Sequence, residues 1–176
     1  ERFQVSALIC VLSVALAVII AIPLGLLGAW KQNGSLDLGV VTVSTLSMSV
    51  PSFWLGMVLL LVFGLYLGWL PVVGFVPIGV DFGRSMAFIV LPVITLALVE
   101  FGGLARMVRA SAGEDMRLEY VTHARAKGLS ERRVMLRHVF PNAFAPTLTM
   151  IGLVVGNLLG GIAVLETVFT LPGLGR

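Results

Sequence analysis

Three long uncharged runs leave this chain little choice of fold. They lie from Phe3 to Trp30, from Leu38 to Val80 and from Val139 to Leu165. A hydrocarbon core about 30 Å thick is crossed by roughly 20 helical residues, and inside it only structures that satisfy their own backbone groups survive. The middle run is too long for one span and barely enough for two with a turn. Trp69-Leu70-Pro71 supplies an interfacial aromatic and a break, so one long, tilted span is expected over about 42–69, with a kink at Pro51, which lacks a backbone donor. Spans are likewise expected over about 6–29, 85–104 and 147–165. Hydrophobic residues make up 58% of the chain and charged ones 12%, against about 25% charged in an ordinary soluble domain. The expectation is an all-α membrane protein, a polytopic bundle of about four transmembrane helices forming a single domain over 1–176.

Two stripes of small residues bear on helix packing. Ser13, Ala17, Ala21, Gly25 and Ala29 recur every four residues, as do Gly152, Gly156 and Gly160. Each spacing puts small side chains on one helix face, where another backbone can approach. The glycine stripe is the stronger signal of the two.

The charges are concentrated. Of the 12 Lys and Arg, eight fall in one loop: Arg106, Arg109, Arg117, Arg125, Lys127, Arg132, Arg133 and Arg137. The positive-inside rule puts that loop and the Lys31 turn in the cytoplasm, and both ends of this chain outside. Glu114, Asp115, Glu119 and Glu131 interleave with the bases, and the chain has no nucleic-acid-binding motif, so nucleic acid is not an expected partner.

Within the loop, residues 119–141 read as two short helices meeting at a corner. Gly128 suits the left-handed position that ends a helix, Leu129 follows it with Ala124 in reach, and Ser130 is a good N-cap for a second helix. Leu129 and Val134 have the spacing of a hydrophobic staple. Helices this short are marginal alone, so something must dock on them.

No chemistry of the chain's own is visible. There is no GxxxxGK[ST] phosphate loop, no nucleophile set and no paired metal ligands; Cys10 stands alone in an apolar run as a small hydrophobe. No catalytic residue, metal site or bound cofactor is expected.

Glu119-Tyr120-Val121, the stretch from Ala124 to Arg133, Arg137-His138, Asn142-Ala143 and Pro146 closely resemble the "EAA" loop of ABC-importer permeases, in the version of the dipeptide, oligopeptide and nickel group. Ala124, Gly128 and Pro141 fall on the family pattern, whereas Thr122, His123, His138 and Phe140 depart from it. Thr122 stands where the family's first Glu contacts the ATPase, and Glu119 lies one turn earlier. Ser49-Val50-Pro51-Ser52-Phe53-Trp54 looks like the SxPSFW segment of peptide permeases, followed by their Trp-Leu-Pro-x-x-Gly exit from Trp69 to Gly74. The stretch from Glu166 to Gly175 resembles their E-x-x-F-x-x-PGLG tail.

The resemblance covers almost the whole chain and implies a MetI-like fold with one further helix at each end, so the chain is expected to be a fragment. It also implies an ATP-driven importer subunit whose loop over 106–141 couples to separate ATPases. The coupling residues carried over are Glu119, Tyr120, Thr122, His123, Ala124, Ala126, Lys127, Gly128 and Leu129. The implied partners are a second permease subunit, two ATP-binding subunits that hold ATP and Mg, and an extracytoplasmic substrate-binding protein, all at a bacterial or archaeal plasma membrane. Peptides are the first expected substrate. Two other classes stay open on the residues alone: an ion-coupled secondary transporter using Glu100, an ionisable residue inside a span, and a membrane scaffold with no transport pathway.

Overall fold

A computed structural model describes residues 2–72, 74–77 and 79–175; Val73 of the Trp-Leu-Pro-x-x-Gly segment and Arg176 of the tail lie outside the described residues. All regular structure among them is helical. The elements are α1 (Arg2–Trp30), α2 (Ser35–Ser49), α3 (Ser52–Leu59), α4 (Phe82–Asp115), α5 (Glu119–Ala126), α6 (Glu131–Val134) and α7 (Phe140–Val168). Two π-helical segments prolong them, Leu60–Tyr66 after α3 and Met135–Val139 between α6 and α7.

Three continuous helices are long and apolar enough to cross a membrane: 3–30, 82–115 and 131–168. The fourth span differs from the one expected over 42–69. The helix stops at Ser49 and restarts at Ser52, with Pro51 between them in an extended conformation (φ −62°, ψ 137°). Proline disfavours helical geometry in the residue before it as well as removing a donor, so the chain breaks where a kink was expected. Pro23, Pro92 and Pro146 by contrast sit inside continuous helices.

The third helix outruns its expected limits, 85–104, and ends at Asp115. Ala105, Val108 and Ala112 are buried along this extension, so packing carries the helix past the end of its apolar run. The last helix also departs from expectation. The second short helix of the loop does not stop before the span: α6, the π segment and α7 form one continuous helix from 131 to 168.

The chain forms two compact units. The first comprises residues 1–17, 49–100 and 154–176. Its buried polar centre is Glu166, 1% exposed, near the end of α7. Ser6 donates its hydroxyl to Glu166 Oε1 and in turn accepts from the Leu174 amide at 3.1 Å, while the Gly175 amide donates to Glu166 Oε2 at 2.9 Å. A carboxylate held by this many donors loses little on leaving water. The tail must come very close to do this: a Cβ on Gly173 would lie 2.0 Å from Glu166 Cδ, and one on Gly175 2.1 Å from Ala163 Cβ. Here the glycines of the tail are a steric requirement.

The second unit comprises residues 18–48 and 101–153 and holds the loop. Its core gathers Leu26 and Ala29 of α1, Val108 and Ala112 of α4, Val121 and Ala124 of α5, Val134 of α6, Met135 and Val139 of the π segment and Ala143 of α7. Large apolar side chains such as Ile19, Leu24, Leu136 and Leu148 remain exposed, which suits a surface solvated by lipid rather than water.

Candidate functional site

The candidate site is α5 with the elements that hold it. Its eight residues divide by face. Val121 and Ala124 are buried in the second unit's core, whereas Glu119, Thr122, His123 and Ala126 are exposed. This is the three-to-four spacing by which a short helix buries one stripe and presents the other. Tyr120 and Leu129 are half-buried against the same core.

The turn after α5 follows from its residues. Gly128 has φ +78°, the left-handed region, and its amide donates to Arg125 O at 2.9 Å, while the Leu129 amide donates to Ala124 O at 3.4 Å. These bonds satisfy carbonyls that a helix end leaves open. A Cβ on Gly128 would meet no atom within 4 Å, so the glycine answers to backbone geometry and not to space. Ser130 occupies the cap position of α6 with extended backbone, but its side chain makes no capping bond. Leu129 and Val134 both join the core. Across the corner, Arg125 pairs with Glu131 through two bonds of 2.8 and 3.1 Å; both side chains are substantially exposed, and such pairs add little stability.

Tyr120 ties α5 to the long helix. Its hydroxyl donates to His138 O at 3.4 Å and accepts from Asn142 Nδ2 at 3.0 Å; Asn142 also donates to His138 O at 3.1 Å. That carbonyl lies in the π segment, where i→i+5 bonding replaces the α pattern.

Beneath the loop sits an ion pair that no sequence pattern announces. Arg109 grips Asp37 through Nε to Oδ1 and through Nη2 to Oδ2 at 2.8 Å, and the Asn33 amide donates to Asp37 Oδ2 at 2.9 Å. Both residues lie beyond the long uncharged runs, Asp37 in the first turn of α2 and Arg109 past Leu104 on α4. Hydrogen bonding from Arg109 holds the Asp37 carboxyl below its ordinary range, partly offset by burial, and Asp37 raises Arg109 in return. Asn33, at φ +61°, makes the turn that brings its amide to Asp37; asparagine is among the few side chains that visit this region readily.

The expected packing residues fall into two groups. Ala17, Ala21 and Gly25 are buried, and a Cβ on Gly25 would lie 2.7 Å from Val108 Cβ and 2.8 Å from Ala105 O. Gly152, Gly156 and Gly160 are exposed, and a Cβ at any of them would meet nothing within 4 Å. Among the described residues, the stripe expected to pack harder is the looser of the two. Gly102, outside either stripe, also makes a close approach: a Cβ there would lie 2.5 Å from Ser44 O. Ala124, carried over as a residue that couples to the ATPase, is buried. It packs against this chain's own core rather than waiting for a partner surface. Glu100 is half-buried and forms no ion pair among the described residues.

A profile of the "binding-protein-dependent transport system inner membrane component" family matches residues 21–176. The chain belongs to this family of ABC-importer permeases. Its relatives are named for peptide transport. The chain is 34% identical to the oligopeptide transport system permease protein AppB of Bacillus subtilis over 99% of its length. It is 37% identical to the di/tripeptide transport system permease protein DppB of Pseudomonas aeruginosa over 86%, and 39% identical to the glutathione transport system permease protein GsiC of Pectobacterium atrosepticum over 99%. The chain spans about half the length of these curated relatives, between 51% and 56%. It is a multi-pass membrane protein.

Proposed function

We propose that this chain forms one half of the transmembrane channel of an ATP-driven importer of di- or oligopeptides. A second permease subunit completes the channel, two ATP-binding subunits on separate chains bind ATP and Mg and grip the loop from the cytoplasm, and an extracytoplasmic binding protein delivers substrate. The chain carries no catalysis in this reading. The observation that supports it best is the division of α5: an inner face, Val121 and Ala124, locked into the core, and an outer face, Glu119, Thr122, His123 and Ala126 with Lys127 and Gly128 beyond, left open beside it. A helix eight residues long would not hold alone. Anchored this way, it transmits force from a partner to the helices behind it, so that nucleotide-driven closure of the ATPases shifts the bundle between its states.

The test places bulk on the open face alone. Ala126→Trp should leave the permease folded and inserted in the membrane, but release the ATP-binding subunits or abolish substrate-stimulated ATP hydrolysis in the reconstituted complex. Wild-type co-purification and stimulation would exclude α5 as the coupling element. Glu100→Gln separates the ion-coupled alternative: ATP-dependent uptake should survive it, whereas a carrier using that carboxylate would lose coupling.

A further inference from the structure

Not all the bases of the loop are neutralised. Arg109 has Asp37 and Arg125 has Glu131, but Arg132, Arg133 and Arg137 have no carboxylate partner among the described residues. The side chains of these three residues line one open cavity of about 400 Å³, together with Ser130 and Leu136. Leu136 is 52% exposed among them. The arrangement follows from local structure, since α6 passes into the π segment at Met135. Arg132 and Arg133 lie on α6, and Arg137 lies in the π segment that continues it. Unpaired like charges held together repel, and each waits for an anion.

The position in the chain says which anion. Arg137 is the last ionised side chain before the uncharged run from Val139 to Leu165, and the helix is continuous through both. A helix entering a membrane carries its last charge at headgroup level. Arginine meets a phosphate through two parallel bonds, and a leucine beside it suits an acyl chain better than water. We infer that the Arg132, Arg133 and Arg137 cavity is a binding site for an anionic phospholipid, its phosphate among the guanidinium groups and an acyl chain along Leu136. An acidic patch on a partner protein would be drawn by the charges, but it would have no use for Leu136 at the membrane boundary. The site lies on α6 and the π segment, whereas the proposed coupling face lies on α5. The inference therefore rests on the membrane location and not on peptide transport.

The experiment uses the full-length permease in its assembled complex, stripped of native lipid and carried into discs of phosphatidylcholine with or without phosphatidylglycerol. Retained lipid is counted by native mass spectrometry and thermal unfolding is followed in parallel. Phosphatidylglycerol should be retained and should raise the Tm, and inorganic phosphate at the same concentration should do neither. Arg132→Gln, Arg133→Gln and Arg137→Gln together should weaken retention about a hundredfold, roughly fivefold for each charge removed near an anionic surface. The same three changes to Lys keep the charge without the fork and should weaken it less, which guards against a folding failure in the Gln variant. Leu136→Ser should weaken phosphatidylglycerol retention while leaving the salt sensitivity of binding intact. Equal retention of phosphatidylcholine, a shift reproduced by phosphate alone, or a Gln variant that keeps its lipid would overturn the site. So would loss of the ATP-binding subunits from that variant with lipid retention unchanged.

Discussion

Arg109 and Asp37 form a bidentate ion pair in which the carboxylate is 5% exposed and the guanidinium 30%. The unequal burial predicts unequal consequences. Arg109→Gln strands a buried carboxylate and should cost about 3 kcal/mol, at the low end for breaking a buried pair because Arg109 is partly solvated. Asp37→Asn leaves a charge that can still reach water, and should cost less. Because Asp37 is held below its usual range when folded, the pair's contribution is complete at neutral pH and is lost as pH falls below about 4. Thermal unfolding of the two single variants and the double variant in detergent checks the order and the coupling.

Gly128 predicts a strain effect free of any clash. Gly128→Val should cost about 1–2 kcal/mol through its positive φ, while Gly128→Asn should cost much less, since asparagine tolerates that region. Amide exchange over 119–129 is the measurement. Faster exchange in the Val variant alone is expected; equal exchange in both would mean the turn relaxes at no cost.

The two small-residue stripes predict opposite phenotypes. Gly25→Ala drives a Cβ into Val108 and the Ala105 carbonyl, and overpacking of this kind costs about 1–3 kcal/mol, so the isolated permease should unfold earlier. Gly156→Leu meets open space and should leave the isolated permease unchanged. If a second subunit covers that face, only the assembled complex should suffer. Size-exclusion of both variants, alone and with partners, separates the outcomes.

The tail predicts a non-additive pair. Gly173→Ala pushes a methyl into the Glu166 carboxyl and should destabilise the tail by about 2 kcal/mol or more, and Glu166→Ala should do so by leaving the Ser6 hydroxyl and the Gly175 amide without their acceptor. Because the Gly173→Ala clash is with the very group that the second change removes, the double variant should lose less than the sum. Limited proteolysis of the tail reads this directly.

Apolar periodicity and turn chemistry made the helices legible, because long uncharged runs in a membrane have one local solution and because Gly128 and Pro51 act on their own backbone. The inner and outer faces of α5 were not legible in the same way. Ala124 and Ala126 look alike in sequence, and only the tertiary core decides that one is buried. Asp37 read as part of a polar turn, and its partner lies 72 positions away, so no local pattern joins them. The Ser6–Glu166 bond spans 160 positions; the tail motif marks the acceptor but says nothing of a donor on α1. The π segment at Met135–Val139 left no signal at all, since its residues fit an α-helix equally well.

The continuous helix from 131 to 168 begins with its weakest part. A π segment occupies Met135–Val139, and Pro141 and Pro146 follow, each without an amide to donate. Missing or rearranged backbone bonds are where helices bend, while the stretch beyond Thr147 has neither defect. Stiffness along this element is therefore graded, compliant next to the loop and rigid further in. If α5 is the coupling element proposed above, a displacement applied there would be taken up first as curvature over about 135–146, and would move the remainder as a rod only once this slack is exhausted. On that proposal the helix would act as a spring in series with a lever, one that ignores small jostling at the loop and answers to a large, sustained stroke.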